Sequence, residues 1–461
     1  MHRPPLRTTI LASLLVASKV TGGTLQPISD PAYGGNGDGI ARVPAALVPA
    51  DEASGIRAIV QADGRLVLVG TSQKFVNQQY ESQIVLMRLD AEGRLDGSFG
   101  LDHDGLVRIV FHGSVDDAAQ TSDGKLVYSG HSFTSESMIV GRLNADGTPD
   151  TSFMGSGSRL ISPSALLDAA ATGVITTVLP QPDGKLLMIG FVNAPAQRFS
   201  CAARLLADGS MDTNFGNAGR TCIAPPQTSG AQSMALTGHL LADGSILVAG
   251  ASEHPGGSNL DMSVARLDAN GMLDTSFGPA HDGWAFVGFD QGMVLNDVAG
   301  AITVDGQGRI LLAGYYEFTY GDGLGIARLL PNGQLDLSFG GSGRVQAVID
   351  PDDSYAEAFT HSIAMLPDGD ILVGSNIHSL SYSGSAAFRF EDDGQLDPQF
   401  GDNGIFRQAS VASGTSPIVS NQQFLVGDYL YMVGGVRKDS SHPDFAATRF
   451  VLPLFADGFD D

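Results

Sequence analysis

Residues 265–278 read Ala-Arg-Leu-Asp-Ala-Asn-Gly-Met-Leu-Asp-Thr-Ser-Phe-Gly, and the same pattern returns down the whole chain. Arg88, Arg142, Arg204, Arg266, Arg328 and Arg389 are each followed eleven residues later by a phenylalanine: Phe99, Phe153, Phe215, Phe277, Phe339 and Phe400. Three residues before each phenylalanine stands an aspartate: Asp96, Asp150, Asp212, Asp274, Asp336 and Asp397. The series opens on an aromatic with no arginine before it, in Asp30-Pro31-Ala32-Tyr33-Gly34, and closes on Arg449 with no aromatic after it. The two half-copies are complementary, so the chain holds seven complete units and its ends are in phase.

A second signature lies between these. Asp63-Gly64, Asp123-Gly124, Asp183-Gly184 and Asp243-Gly244 are spaced by sixty residues, and Asp368-Gly369, Gln307-Gly308 and a degenerate Gly427-Asp428 complete the set. Apolar runs follow, such as residues 66–70, 186–190, 246–250 and 310–314. Short apolar runs on either side of an Asp-Gly turn read as β-hairpins. Each unit holds four strands, in the sixth at about residues 343–349, 360–366, 371–375 and 386–391. Four short antiparallel strands repeated seven times define an all-β fold, a seven-bladed β-propeller with one repeat of about sixty residues per blade. An open solenoid would need atypical capping repeats at its ends, and the complementary half-copies argue for a closed ring.

The fixed order of Asp-Gly-Lys-Leu, Ala-Arg-Leu and Leu-Asp-Thr-Ser-Phe-Gly at this spacing resembles the delta-60 repeat family of exported bacterial proteins. The resemblance covers residues 30–450. It implies export and a propeller-like fold and supplies no activity. Departures occur at Phe153-Met154, where the usual glycine is replaced, and in the seventh unit, where the Asp-Gly turn has degenerated.

Composition agrees with a packed, turn-rich protein. Glycine numbers 59 of 461 residues, well above the ordinary ~7 %, yet 43 % of the chain is hydrophobic, so a large core is available. The formal charge of −24 repels phosphates and anionic headgroups, which argues against nucleic acid and leaves a protein or carbohydrate as the expected partner of a monomer. Arg3 and Arg7 precede a short apolar run at residues 9–18, the layout of a secretory signal peptide over residues 1–22. No stretch is long and apolar enough to span a bilayer as a helix. The expected destination is secretion, to the medium, the cell surface or the periplasm. The propeller occupies residues 28–450, and residues 451–461 form a tail with either a sorting role or none.

The constant eleven-residue spacing suggests a fixed span, read as the crossing from the outer strand of one blade to the inner strand of the next. Spacings from the Asp-Gly turn to the arginine vary, from nineteen residues (Asp123 to Arg142) to twenty-five (Asp63 to Arg88). Because antiparallel strands alternate in direction, the Asp-Gly turns and the constant connections share one face of the disc. The variable connections share the other. Function concentrates in variable loops on a rigid scaffold, so the diverse face is the expected binding face.

The seven arginines sit in strands expected to pack between blades, where an unpaired charge would cost about 3–5 kcal/mol. Their expected partners are the repeated aspartates, with Arg449 reaching Asp30 as the ring closes, and the repeated aromatics are core anchors. On the diverse face the stretch Tyr315, Tyr316, Glu317, Phe318, Tyr320 and Asp322 stands out, because clustered aromatics beside carboxylates suit stacking on a sugar ring or anchoring a protein. Asp102-His103-Asp104 and His281-Asp282 lack a converging ligand set and read as turns. Residues 350–353, Asp116-Asp117 and Asp51-Glu52 read as acidic loops suited to calcium, but none has a complete calcium-loop spacing. No cofactor is therefore expected.

Cys201 and Cys222 fall, in this phasing, on the outer strand of one blade and the inner strand of the next, about 14 Å apart at three strand spacings. They are expected to be unbonded. No nucleophile elbow, phosphate loop or zinc signature is present. The function expected is a binding or protein-interaction module acting through the diverse face, with an extracellular hydrolase or lyase acting on a polysaccharide as the alternative.

Overall fold

The computed structural model describes residues 27–43, 52–76, 79–133, 137–167, 172–226, 230–254, 259–289, 295–318, 321–350, 353, 355–408, 419–427, 429–437 and 443–452. The expected signal peptide, the tail from residue 453, Tyr320, Asp51, Asp352 and Asp428 lie outside them.

Seven antiparallel sheets form the protein. Blade four shows the plan: strands Ser233–Leu240, Ile246–Glu253, Leu260–Leu267 and Trp284–Val287 pair in sequence order. The first strands of the blades, from Glu52–Val60 through Gly113–Gln120, Thr172–Pro180, Ser233–Leu240, Asp297–Val304 and Glu357–Met365 to Val419–Val426, each adjoin the next, and the last adjoins the first. They line the axis of a closed ring. Second strands such as Leu186–Ala194 are buried almost throughout, because each blade packs against a neighbour on both of its faces. Both faces of such a strand must be apolar, and the runs therefore read as continuously hydrophobic rather than alternating.

The ring closes through its seventh sheet. Val419–Val426, Tyr429–Arg437 and Pro443–Val451 are joined by chain from the other end of the molecule, Ile28–Ser29 against Phe450 and Val451, and Ile40–Val43 against Phe445 to Thr448. Arg449 meets Asp30 as expected, with its Nε 2.8 Å from Asp30 Oδ2, and its guanidinium lies 4.5 Å from the centre of the Tyr33 ring.

The blades begin one strand later than the sequence reading placed them. The segment assigned as the inner strand of unit six, residues 343–349, contains Arg344–Ala347, which pairs with Gly321–Leu329 as the outer strand of blade five. The constant eleven-residue connection is therefore not the interblade crossing; it joins the third and fourth strands of one blade. Its length is fixed by its own hydrogen bonds. In blade four, the Asp274 amide donates to the Arg266 carbonyl at 2.8 Å, Phe277 to Asp274 at 3.0 Å, Gly283 to Phe277 at 3.0 Å, and Arg266 to Gly283 at 3.1 Å. The division of the disc into a uniform and a diverse face survives, since shifting the phase by one whole strand leaves every connection on the same side.

The same shift overturns the cysteine expectation. Gln197–Leu205 and Arg220–Ile223 are the third and fourth strands of blade three, and Cys201 stands directly opposite Cys222 with their Cα atoms 4.1 Å apart. They form a disulfide.

Each arginine is a clip, as expected. Arg328, 1 % exposed, places Nε 2.7 Å from Asp336 Oδ2 and donates to Ser338 Oγ at 3.2 Å. It also donates to the Asp392 carbonyl in the next blade, and its guanidinium sits 4.7 Å from the centre of the Phe339 ring. Arg88–Asp96, Arg142–Asp150, Arg204–Asp212 and Arg266–Asp274 pair at 2.7–2.8 Å, and Arg389 reaches Asp397 at 3.3 Å while also holding Asp368 and Asp370. Burial alone would raise the Asp150 carboxyl, but hydrogen bonds from Ser152, Lys125 and Arg142 outweigh it and hold the group far below the usual carboxylate range. The phenylalanines are fully buried, and Phe99, Phe153, Phe215, Phe277 and Phe339 each press on a glycine of the following blade. Gly271 has φ +81°, and a Cβ there would lie 2.6 Å from the Phe215 ring, so both the turn and the packing require glycine.

Candidate functional site

The seven first strands share an irregularity. Their pairing with the second strand slips by one residue at Ile56, Asp116, Thr176, Leu236, Gly300, His361 and Asn421, which are equivalent positions in successive repeats. These are β-bulges. A bulge leaves one residue unpaired and re-aims its side chain, and bulges favour functional sites for that reason. The second strand accommodates it with a glycine: a Cβ on Gly190, Gly250 or Gly314 would approach the bulged backbone to 1.8–2.0 Å. Blade six is the exception, with Ser375 at this position; in the other blades the glycine that ends the apolar run is the imprint of the bulge.

Asp116, Thr176, Leu236, Gly300 and His361 converge, with Arg57, Val174, Val298, Gly314, Tyr315, Phe359 and Thr360, on an axial cavity of about 350 Å³. Val174, Val298 and Phe359 precede the bulges, in the half of the inner strands nearer the diverse face, so that face is where the cavity opens. Equivalent backbone positions carry a carboxylate, a hydroxyl, an isobutyl group, a bare glycine and an imidazole. The scaffold is repeated and the lining is not.

Two pairs of ionisable side chains border the cavity. The Arg57 Nε lies 2.6 Å from Asp117 Oδ1, linking equivalent positions of blades one and two, while Asp117 Oδ2 accepts the Val178 amide at 2.8 Å. Asp116 Oδ1 lies 2.7 Å from His131 Nδ1, and Asp116 Oδ2 is buried with no hydrogen-bond partner among the described residues. An unpaired buried acceptor costs about 1–3 kcal/mol. Burial pushes the Asp116 carboxyl up despite the histidine, and the bond to Asp116 raises His131 against the opposing effect of burial.

His361 behaves oppositely. Burial, and then the charge of Arg57, lower it to about 4, so it is neutral at pH 7; its Nε2 lies 3.2 Å from the Asn376 amide nitrogen, which donates to it. The folded pKa is below the unfolded value near 6.5, so between those values the unfolded chain binds a proton that the folded one does not. The contribution of His361 is present above pH 6.5 and lost as pH falls towards 4, a change of about 2–3 kcal/mol. Denaturant titrations at pH 7 and pH 4.5 should show that fall, and His361→Phe should remove most of it. An equal fall in the variant would mean that other groups carry the acid sensitivity.

The sequence-selected stretch is a hairpin rather than a loop. Ile310–Phe318 pairs with Gly321–Leu329, with Glu317 opposite Asp322 and Phe318 opposite Gly321. Strand alternation splits its aromatics between two sites. Tyr315 lines the axial cavity with its ring centre 6.3 Å from that of Phe359. Tyr316 stacks on Phe289 at 5.6 Å and, with Phe318, lines a second cavity of about 320 Å³ beside Val348, Asp350 and Asp353. Glu317 accepts the Asn296 amide at 2.9 Å, and burial with the charges of Glu317 and Glu357 raises the Asp322 carboxyl.

Other acidic candidates are placed differently from the sequence reading. Asp116 and Asp117 lie within the inner strand Gly113–Gln120, not in a loop. Asp350 and Asp353 accept hydrogen bonds from Ser381 and from the Leu380 amide, which fasten the crossing into blade six. His103 and His281 sit in turns at φ +53° and +54°. Among the described residues no cluster of three metal-ligating side chains occurs.

Fold and site together define a seven-bladed β-propeller with an axial cavity. Five of its repeats, residues 61–99, 121–153, 181–215, 241–277 and 308–339, match the family described as a β-propeller domain of unknown function, DUF5122. Each matched segment runs from the first hairpin turn of a blade to its anchoring phenylalanine. No curated protein matches the sequence. Among solved structures the chain is similar to a protein of unknown function from Dyadobacter fermentans DSM 18053 (11 % identity, 90 % of this chain and 99 % of that one, TM-score 0.41). It is also similar to the polysaccharide lyase Uly1 (11 % identity, 86 % and 90 %, TM-score 0.49) and to a PL25 ulvan lyase (9 % identity, 87 % and 95 %, TM-score 0.46). Among the described residues no helix is long and apolar enough to cross a membrane.

Proposed function

We propose that this protein is an exported, monomeric propeller of the delta-60 kind that binds its ligand on the diverse face, at the mouth of the axial cavity. One observation carries the reading: bulges at equivalent positions of five blades set the non-equivalent residues Asp116, Thr176, Leu236, Gly300 and His361 around one cavity, while the opposite face repeats the same clips. A structural channel would have no need of such variety. The Cys201–Cys222 disulfide supports an oxidising destination. The test is a mixed screen of immobilised glycans and peptides against the protein, Tyr315→Ala/Phe359→Ala and, as a control on the uniform face, Met272→Ala. Binding that falls at least tenfold in the double variant and persists in the control supports the reading. Binding lost only in the control would refute it.

A second reading is favoured by the chemistry of the cavity. A neutral imidazole at His361, the Tyr315 phenol and a raised carboxyl at Asp116 are the kinds of group that serve in general acid–base catalysis. An extracellular hydrolase or lyase acting on a polysaccharide would release new reducing or unsaturated ends, and His361→Ala would stop that release.

A further inference from the structure

The cavity presents charge of both signs, and each charge is already matched within the protein. Arg57 is paired with Asp117, and Asp116 with His131, while Thr176 Oγ1 is engaged with the Ile189 and Ala235 carbonyls. A cationic ligand would meet the guanidinium of Arg57, and an anionic one the carboxylate of Asp116. A neutral polyol meets no like charge, and a hydroxyl is a suitable donor for the unpartnered Asp116 Oδ2.

Aromatic rings flank the mouth on opposite sides. In blades five and six, Phe359 is 37 % exposed and lies between Tyr315 at 6.3 Å and His378 at 6.1 Å. In blade two, Phe133 is 47 % exposed and lies between His112 at 6.2 Å and His131 at 5.9 Å. His131 is the residue bonded to Asp116 in the cavity wall, so this second platform is continuous with the site. Blade two is three blades from blade five in one direction and three from blade six in the other, which sets the two platforms across the axis from one another. Partly exposed rings offer flat apolar faces at small entropic cost, and the apolar face of a sugar ring fits them.

We propose that the ligand is an uncharged polysaccharide laid across the mouth, with one sugar unit over the axial cavity and its neighbours on the Phe359 and Phe133 platforms. This inference rests on the axial binding reading and adds the chemical class of the ligand. Affinity electrophoresis and calorimetry with soluble neutral glucan, mannan and xylan, and with alginate and polygalacturonate as acidic counterparts, test it. The unmodified chain is compared with Phe359→Ala and Phe133→Ala, both at partly exposed positions, with melting temperatures measured to verify folding. The expected result is binding of at least one neutral polymer, weakened at least tenfold by each substitution, with the acidic polymers bound at least tenfold less well. Acidic polymers bound equally well or better, with binding lost in the variants, would overturn the neutral-carbohydrate class and leave the axial site standing. Neutral binding that survives both substitutions would overturn the placement and the axial reading with it. Binding of none of the five polymers would overturn the carbohydrate inference.

Discussion

Arg449→Ala should lower the unfolding free energy by about 4 kcal/mol, as expected for removing one partner of a largely buried ion pair. The charge left behind is Asp30, whose Oδ2 lies 2.6 Å from Arg449 Nη2. The guanidinium also covers the Tyr33 and Tyr429 rings, at 4.5 and 4.7 Å, and donates to the Ala91 carbonyl of the first blade at 2.7 Å. One substitution therefore loosens four contacts, three of which, to Asp30, Tyr33 and Ala91, hold the two ends of the chain together. Each of the other six clips joins an arginine to an aspartate eight residues further along one continuous strand and turn; this one joins residues 419 apart in sequence, from the two ends of the chain that meet in the closing sheet. Equilibrium denaturation should show a larger loss for Arg449→Ala than for Arg266→Ala, whose pair is more exposed. Equal losses would mean that the closure has no special weight.

The second large effect is expected at Gly314. A Cβ there would lie 1.8 Å from the Val298 carbonyl oxygen, a distance no small adjustment relieves, because the obstacle is backbone. Gly314→Ala must therefore push the first strand of blade five inward or erase its bulge. Overpacking usually costs 1–3 kcal/mol, and a displaced inner strand belongs at or above the top of that range, about 3 kcal/mol. Gly300 and Tyr315 border the same cavity, so any ligand affinity should fall together with stability. Gly64→Ala, at φ +82° in an exposed turn with nothing within 4 Å of the added carbon, should cost only its local backbone strain of roughly 1 kcal/mol and leave binding intact. Comparable losses in the two variants, with binding unchanged in Gly314→Ala, would contradict the role given to the bulge.

These sites show which parts of the molecule the sequence declared. The arginine, aspartate and phenylalanine of each clip recur at fixed spacing because they solve the same packing problem seven times, and repetition makes such residues conspicuous. The half-copies at Tyr33 and Arg449 revealed the closure for the same reason. Strand phase was not legible. A connection of constant length can either bridge two blades or be locked within one, and only its internal hydrogen bonds decide; the disulfide was misjudged along with it. The axial residues were hidden by a different mechanism. A bulge inserts one residue into the period-two alternation, so Asp116, Thr176 and His361 resemble ordinary strand positions. For Asp116 and Thr176 the sequence trace was the glycine ending the apolar run, Gly130 and Gly190, since a glycine inside a strand marks a bulge or a close backbone approach; His361 had none, because Ser375 stands at that position. The aromatic stretch around Tyr316 stood out through composition alone, and composition could not show that alternation would send Tyr315 to one cavity and Tyr316 to another.

The central claim is that ligands are taken at the axial cavity on the diverse face. Hydrogen–deuterium exchange with and without a saturating ligand tests it most directly, because exchange reports backbone by segment and requires no substitution. Protection is predicted in the inner strands Gly113–Gln120, Thr172–Pro180 and Glu357–Met365 and in the hairpin of Ile310–Phe318 and Gly321–Leu329, with the clip turns around Phe99, Phe215 and Phe277 unchanged. Protection confined to those clip turns would place the ligand on the uniform face and contradict the account.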